Sequence, residues 1–268
     1  MTHGIPKRGL AVASFSVLVA LAALGCGSHE QETPASAPLE APTSPTAASS
    51  VSVTLDASTS ALDFVMTAPV EHIHGRAPES LEGTLSLDLH DLTQSRGLVK
   101  SDLLKLEVLQ SKIDEETHEF TEETRNERQN EHMRTWFQIS DDAPAEQREA
   151  NRWVEFRIDE VRDVDHADVT AMTGDERRVH LTVAGQLRVH GVTVPKTAEL
   201  ALVFHYSGDT FQSVDVRTVG AIDVNLAEHH IEPRSSFETL AQKTLGALGQ
   251  KVADAAPVTF SVTARPAR

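Results

Sequence analysis

The sequence predicts an all-β protein in which antiparallel strands form a barrel or a sandwich. Apolar and polar side chains alternate with a period of two through much of residues 51–264, whereas apolar residues at helical spacing are confined to one short stretch. Such alternation gives each strand one buried and one solvated face, as in antiparallel sheets. With 268 residues, of which 40% are hydrophobic, the chain is long enough for one domain of about 200 residues and a tail.

The alternating runs follow one another along the chain and predict about eight strands. The first are 51/53/55, 62/64/66, 85/87/89, 104/106/108 and 154/156/158. The longest is 179/181/183/185/187/189, and 200/202/204, 214/216, 222/224 and 258/260/262 complete the series. A closed barrel of about eight strands can hold one small ligand in its interior, but alternation alone does not distinguish a barrel from a sandwich.

Three other stretches interrupt the strands. Ser235 and Glu238 form a capping box before apolar residues at helical spacing that end at Leu248, which predicts a short helix closing one end of a barrel. Residues 141–151 are polar and predict a surface turn. Residues 111–132 are highly charged and lack any period, so we expect a long solvated loop there.

The N-terminus has the pattern of a bacterial lipoprotein signal. Lys7 and Arg8 precede an apolar run over residues 10–24, which is too short for a confident transmembrane helix. The run ends in Ala-Leu-Gly before Cys26, the single cysteine of the chain, and this resembles a lipobox. The sequence therefore predicts a signal peptide over 1–25 and a lipid on Cys26.

These features predict a location in the cell envelope. Acyl chains on Cys26 would hold the protein on a membrane, since each buried methylene contributes about 0.8 kcal/mol. Gly27 follows the cysteine where inner-membrane lipoproteins usually carry Asp, which favours the outer membrane, with the protein facing the periplasm. Residues 26–50 are rich in Ser, Pro, Ala and Thr and predict a disordered tether.

Composition and motifs argue against several classes of function. The net charge of −16 disfavours binding to nucleic acid, which requires a basic face. There is no G-x-S-x-G elbow, no free thiol beyond Cys26 and no glycine-rich phosphate loop. The His72/His74 and His229/His230 pairs each offer only two ligands, fewer than zinc requires. We therefore expect no catalysis, no cofactor and no metal.

Several motifs together resemble the YceI-like family. The segment LDASTSALDFVM, with Asp56, Ser60 and Phe64, resembles the opening of that family's domains. Gly75, Gly83 and Asp88 in HIHGRAPESLEGTLSLDL match its next strands, although Ala77 stands where an aromatic residue is usual.

The best match is VAGQLRVHGVTVPKTAELALVF, which resembles the family pattern G-x-L-x-x-H-G-V-T-x-P. The matching residues are Gly185, Leu187, His190, Gly191, Val192, Thr193 and Pro195; Ile222 and Ile231 fit a closing strand. The resemblance covers about residues 51–264. It implies an antiparallel lipocalin-like β-barrel of about eight strands, with one or two short helices, whose apolar cavity binds polyisoprenoids or similar lipids.

Strand parity then predicts which side chains line that cavity. They are Leu62, Phe64, Leu85, Leu87, Leu104, Leu106, Phe156, Leu181, Val183, Leu187, Leu200, Leu202, Phe204, Val216 and Ile222. His190 lies in a hairpin turn and is a candidate polar contact at the mouth. An alternative is a non-catalytic surface or stress-response scaffold that acts through the acidic 111–132 segment. The sequence neither requires nor excludes a homodimer.

Overall fold

The computed structural model describes residues 1, 36–42, 50–68, 71–114, 116–231 and 255–267. Twelve strands are present in these ranges: β1 (Ser50–Ala68), β2 (Glu71–Arg76), β3 (Leu81–Asp88), β4 (Arg96–Asp102), β5 (Glu107–Lys112), β6 (Thr124–Arg125), β7 (Trp153–Arg162), β8 (Glu176–Val189), β9 (Val192–Ser207), β10 (Thr210–Thr218), β11 (Ile222–Asn225) and β12 (Ala255–Pro266). Two α-helices accompany them, α1 (Glu127–Trp136) and α2 (Ala145–Asn151).

Eight of the strands close into an antiparallel barrel, which confirms the predicted fold class. Going around the wall, the order is β1, β3, β4, β7, β8, β9, β10 and β12. The last strand returns to the first, with Val53 opposite Pro266 and Phe64 opposite Val258. Closure leaves few unpaired strand edges among these eight strands; the first half of β9, which pairs with β8 alone, is an exception.

Strand β1 is shared between the barrel and a smaller extension. The sequence predicted two strands, around 51–55 and 62–66, but one 19-residue strand runs through both and bends at a register shift between Asp56 and Ala61. Its second half pairs with β2, which continues through β5 to the short β6. The bulge explains the difference, because it lets a strand change direction without ending.

The helices correct two predictions. The 111–132 segment is not one long loop: β5 runs to Lys112, β6 follows, and α1 begins at Glu127. Asn126 caps this helix by accepting hydrogen bonds from the Arg128 and Gln129 amides at 3.1 and 3.4 Å. The predicted turn over 141–151 contains α2.

A densely packed apolar cluster fills one end of the barrel, which we call the closed end. Val53, Val179, Phe204 and Val214 have no accessible surface, so no void large enough for water adjoins them. The loop before β8 covers this end, because the Val169 amide donates to the Leu89 carbonyl at 2.9 Å. This end is therefore packed as a protein core.

Part of the predicted tether lies against the barrel. Residues 36–42 are described and make hydrogen bonds to the barrel wall, unlike a tether without contacts. The predicted signal peptide, Cys26 and the predicted helix from Ser235 lie outside the described residues. Neither α1 nor α2 is long and apolar enough to cross a bilayer, and the described ranges contain no other α-helix.

Candidate functional site

The barrel end opposite the closed end, which we call the open end, is less tightly filled. Two further apolar clusters lie here, one around Leu106, Val108 and Met133 and the other around Leu187 and Val189. The side chains that connect the three clusters are only half-buried: Leu62, Phe137, Val154 and Phe156. Half-buried apolar side chains in a barrel interior are those that an apolar ligand could cover.

The structure divides the predicted lining residues between the two ends. Eight belong to the tightly packed cluster of the closed end: Leu85, Leu87, Leu181, Val183, Leu200, Leu202, Phe204 and Val216. Leu62, Phe64, Phe156 and Ile222 are half-buried, and Leu106 and Leu187 are buried at the open end. Parity therefore placed these side chains inside the protein but could not separate solid core from candidate cavity.

Leu104 is a wrong prediction. It lies in a 3-10 turn, Leu103–Lys105, and its exposed fraction is 48%. The Asp102 carboxylate accepts the Leu104 amide at 3.0 Å and initiates this turn. The turn breaks the period of two, so Leu103 and Leu106 are buried instead.

The β8–β9 hairpin borders the open end and contains the predicted mouth residue. His190 and Gly191 form a two-residue turn, both with positive φ (50° and 74°), between the paired Val189 and Val192. His190 Nδ1 lies 3.3 Å from the His229 carbonyl, and His229 Nδ1 lies 3.2 Å from the Val192 carbonyl. The two imidazoles therefore brace the turn.

Both imidazoles have one ring nitrogen that makes no hydrogen bond. Since the Nδ1 atoms face carbonyl oxygens, they carry the protons, and the Nε2 atoms keep their lone pairs. Each Nε2 atom is buried and has no hydrogen-bond partner in the described part of the chain. Burial lowers the pKa of His190 and of His229, which favours this neutral, accepting form.

Sequence reasoning missed a row of polar side chains on the outer wall, two of which, Glu155 and Arg188, are charged and buried. Lys100, Glu155, Arg188 and Thr193 are aligned across β4, β7, β8 and β9. Glu155 and Arg188 are each 1% exposed; Lys100 Nζ lies 3.2 Å and Arg188 Nη1 3.5 Å from the Glu155 carboxylate. The alternation in VEFRI and LRV predicts that Glu155 and Arg188 face outward. It does not predict that other segments of the chain shield them from solvent.

A cleft of about 570 Å³ opens between β9 and β11. The first half of β9 pairs with β8 alone, because β10 ends opposite Leu200 and β11 pairs with β12. The lining mixes apolar surface, including the predicted Ile222, with the charged Arg162, Lys196 and Asp223. These charges distinguish the cleft from a purely apolar lipid cavity.

The family-matched polar residues build turns. Asp56 accepts hydrogen bonds from the Ser58 amide and hydroxyl at 3.1 and 2.6 Å, and Asp88 accepts the His90 amide at 3.0 Å. The Ser60 hydroxyl accepts the Leu81 amide at 3.2 Å. These side chains stabilise the backbone of the turns around the barrel.

The described residues contain no group of three or more His, Cys, Asp or Glu side chains that could hold a metal. His74 lies between Asp63 and Glu123, at 3.3 and 3.0 Å, and His72 stacks on Phe120. In the acidic segment, Glu123 also pairs with Arg76 at 2.5 Å, and Arg125 pairs with Glu107. These charges therefore have partners within the protein.

Comparison with protein families identifies the domain. The model of the YceI-like domain matches residues 53–264. The chain belongs to the YceI-like family. A search of curated protein sequences finds no significant relative.

Two solved structures resemble this YceI-like protein. The first is a polyisoprenoid binding domain from Saccharophagus degradans implicated in plant cell wall breakdown, with a TM-score of 0.51 and 17% identity over 81% of this chain and 99% of that one. The second is BcnA from Burkholderia cenocepacia, with a TM-score of 0.46 and 11% identity over 78% of this chain and 98% of that one. At this identity the first comparison supports the fold.

Proposed function

We propose that this YceI-like protein is a binding protein, not an enzyme, and that it holds a long apolar lipid of the polyisoprenoid or fatty-acyl type in the open end of its barrel. The observation that carries the proposal is the set of half-buried apolar side chains that connect the three interior clusters. The similarity to a structure described as a polyisoprenoid binding domain supports the choice of ligand class.

The interior suits a flexible chain. Leu62, Phe64, Val154 and Phe156 offer aliphatic and aromatic surface without a charged group among them. A hydrocarbon chain gains about 25 cal/mol for each Å² withdrawn from water, without any directional contact. Because the closed end is solid, the ligand enters from the open end and its depth is limited by the packed cluster.

The hairpin turn provides a polar contact for the ligand's head. The Nε2 lone pair of His190, which is only half-buried as a residue, would accept a hydrogen bond from a hydroxyl or another donor, whereas His229 has no accessible surface and supports the turn. Neutral imidazoles do not attract an anion, so a donor such as an alcohol or a protonated acid suits them better than a phosphate dianion.

We further propose that the protein is a lipoprotein of the outer membrane that faces the periplasm. This rests on the sequence pattern around Cys26 and Gly27. Metabolic labelling with a clickable fatty acid tests it, because the label should be lost in a Cys26→Ser variant and retained in the wild type.

Native mass spectrometry after gentle extraction tests lipid binding. The wild type should carry a co-purified amphiphile, and a Phe156→Asp variant should lose it, since a carboxylate would be placed in the apolar contact. Phe204→Ala provides a control for general loosening, because Phe204 has no accessible surface and belongs to the closed-end cluster. A wild type that is always empty and that takes up no added prenol or fatty acid would refute the proposal.

A further inference from the structure

Residues 36–42, which we call the strap, are held against the outer wall by their backbone and by Ser36. The Ser36 amide and hydroxyl both donate to the Gly191 carbonyl, at 2.7 and 2.6 Å. The Ser36 carbonyl accepts from Arg188 Nε at 3.0 Å, and the Leu39 amide donates to Glu155 Oε2 at 2.8 Å. In these four hydrogen bonds the strap acts as donor three times and as acceptor once.

The strap presents every third residue to the wall. Ser36, Leu39 and Pro42 are half-buried, and the residues between them are exposed. A spacing of three is that of a polyproline II helix, and Pro38 and Pro42 favour this conformation. Since such a helix makes no internal hydrogen bonds, its amides and carbonyls are free to bind the wall.

The wall provides a pre-arranged receptor for this backbone. The Arg188 guanidinium also donates to the Ala150 carbonyl of α2 at 3.3 Å, and Lys100 holds the other side of the Glu155 carboxylate. A buried carboxylate and guanidinium require hydrogen bonds on all sides. The Leu39 amide and Ser36 carbonyl supply those that the barrel itself does not.

The strap begins at the open end of the barrel. Its first residue binds Gly191 in the turn that His190 and His229 brace. Leu187 and Val189 on the same hairpin belong to an open-end cluster. Ser36, the first described residue of the strap, therefore lies beside the proposed lipid mouth.

We propose that the strap is a positioning element that holds the open end of the barrel towards the membrane to which Cys26 is anchored. Ser36 lies ten positions after Cys26, a reach of at most about 35 Å, whereas Ser50 lies 24 positions after Cys26 and would reach about 84 Å if the strap were detached. The docked strap thus keeps the mouth close to the bilayer. This inference builds on the proposed anchor and the proposed lipid site.

Hydrogen–deuterium exchange of the full chain tests the docking. In the wild type, the hydrogen-bonded amides of Ser36 and Leu39 should exchange at least tenfold more slowly than in urea-unfolded protein. Leu39→Pro removes the amide that binds Glu155 and should abolish the protection of the Ser36 amide, whereas Ala41→Pro, beyond both contacts, should retain it. Wild-type amides that exchange at the unfolded rate would overturn the proposal, because no docked strap would then exist.

Tryptophan quenching tests the orientation without any bound lipid. Both tryptophans of the chain, Trp136 and Trp153, lie at the open end. The protein is made without the predicted signal peptide, so that Cys26 is not lipidated and keeps a free thiol, and it is coupled through that single thiol to maleimide-bearing phosphatidylcholine vesicles that contain headgroup-spin-labelled lipid. Quenching should be at least twofold stronger for the wild type and Ala41→Pro than for Leu39→Pro. Equal quenching in all three proteins would overturn the positioning role.

The two experiments separate this inference from the proposed function. Because the coupling is chemical and quenching requires no ligand, a protein that binds no lipid can still show the orientation. Conversely, loss of orientation in Leu39→Pro with unchanged lipid occupancy would support the strap and leave the lipid site intact.

Discussion

Replacing one phenylalanine at each end of the barrel should separate packing from ligand binding. Phe204 has no accessible surface and lies in the closed-end cluster, so Phe204→Ala should cost about 3–5 kcal/mol of unfolding free energy. For a domain of this size, that corresponds to a Tm lower by roughly 6–20 °C. Lipid affinity of the protein that remains folded should change little.

Phe156→Ala should have the opposite effect: a smaller loss of stability and a larger loss of lipid affinity. Phe156 is half-buried between two clusters, so its truncation should cost about 1–2 kcal/mol in stability, less than a fully buried ring. If about 60 Å² of the ring contacts the lipid, its loss removes about 1.5 kcal/mol of binding, or roughly tenfold in Kd.

Thermal unfolding followed by circular dichroism and titration with a fluorescent prenol measure both quantities. The titrations should be compared at urea concentrations that give the two variants the same folded fraction, so that a difference in affinity does not reflect a difference in stability. Two results together would refute the division of the interior into core and cavity. They are that Phe204→Ala weakens lipid binding as much as Phe156→Ala does, and that Phe156→Ala is the more destabilised of the two variants.

Three other perturbations have defined outcomes. Burial lowers the pKa of His229 below its unfolded value of about 6.5. At lower pH the unfolded chain therefore binds more protons than the folded protein. The free energy of unfolding should be highest above about pH 6.5 and should fall as the pH is lowered further. Urea unfolding at pH 7.5 and 5.5 should show this loss, and His229→Gln should reduce it; an unchanged pH dependence would contradict the assignment. Arg188→Met leaves Glu155 buried beside one lysine and should lower the free energy of unfolding by about 3–5 kcal/mol. A Glu155→Leu/Arg188→Met double variant should recover part of that loss. If chemical denaturation shows that the losses of the two single variants simply add, the two charges do not stabilise each other. A Cβ at Gly185 would overlap a carbonyl oxygen of β7, so Gly185→Ala should lower stability by about 1–3 kcal/mol, whereas Gly220→Ala, with open space around it, should be neutral in the same thermal melt.

The alternation of apolar side chains was sufficient to predict the barrel wall. Runs such as Val179–Val189 fixed both the strands and their inward faces, because a pleated strand has a side-chain period of two. The resemblance of the HGVTVP segment to the family then chose a barrel over a sandwich. Parity fails where the backbone leaves the strand, as at Leu104 in its 3-10 turn.

Other features depend on contacts between distant segments, which no local pattern encodes. The strap joins Ser36 to Gly191, and the buried Glu155 and Arg188 have the sequence environment of ordinary solvated charges. The difference between the tightly packed cluster and the half-buried side chains of the open end likewise depends on how eight strands pack together. The Asn126 cap of α1 was a local signal, but the surrounding charges and missing apolar period hid the helix.

Pairing of the first strand with the last makes this barrel a fold of high contact order. Val53 pairs with Pro266, so the wall cannot be sealed until nearly the whole domain is available. Contacts this remote in the chain slow folding, because a long loop must be closed before they contribute stability. Until β12 arrives, β1 and β10 present unpaired backbone to other chains, and this late step is the point at which aggregation competes with folding.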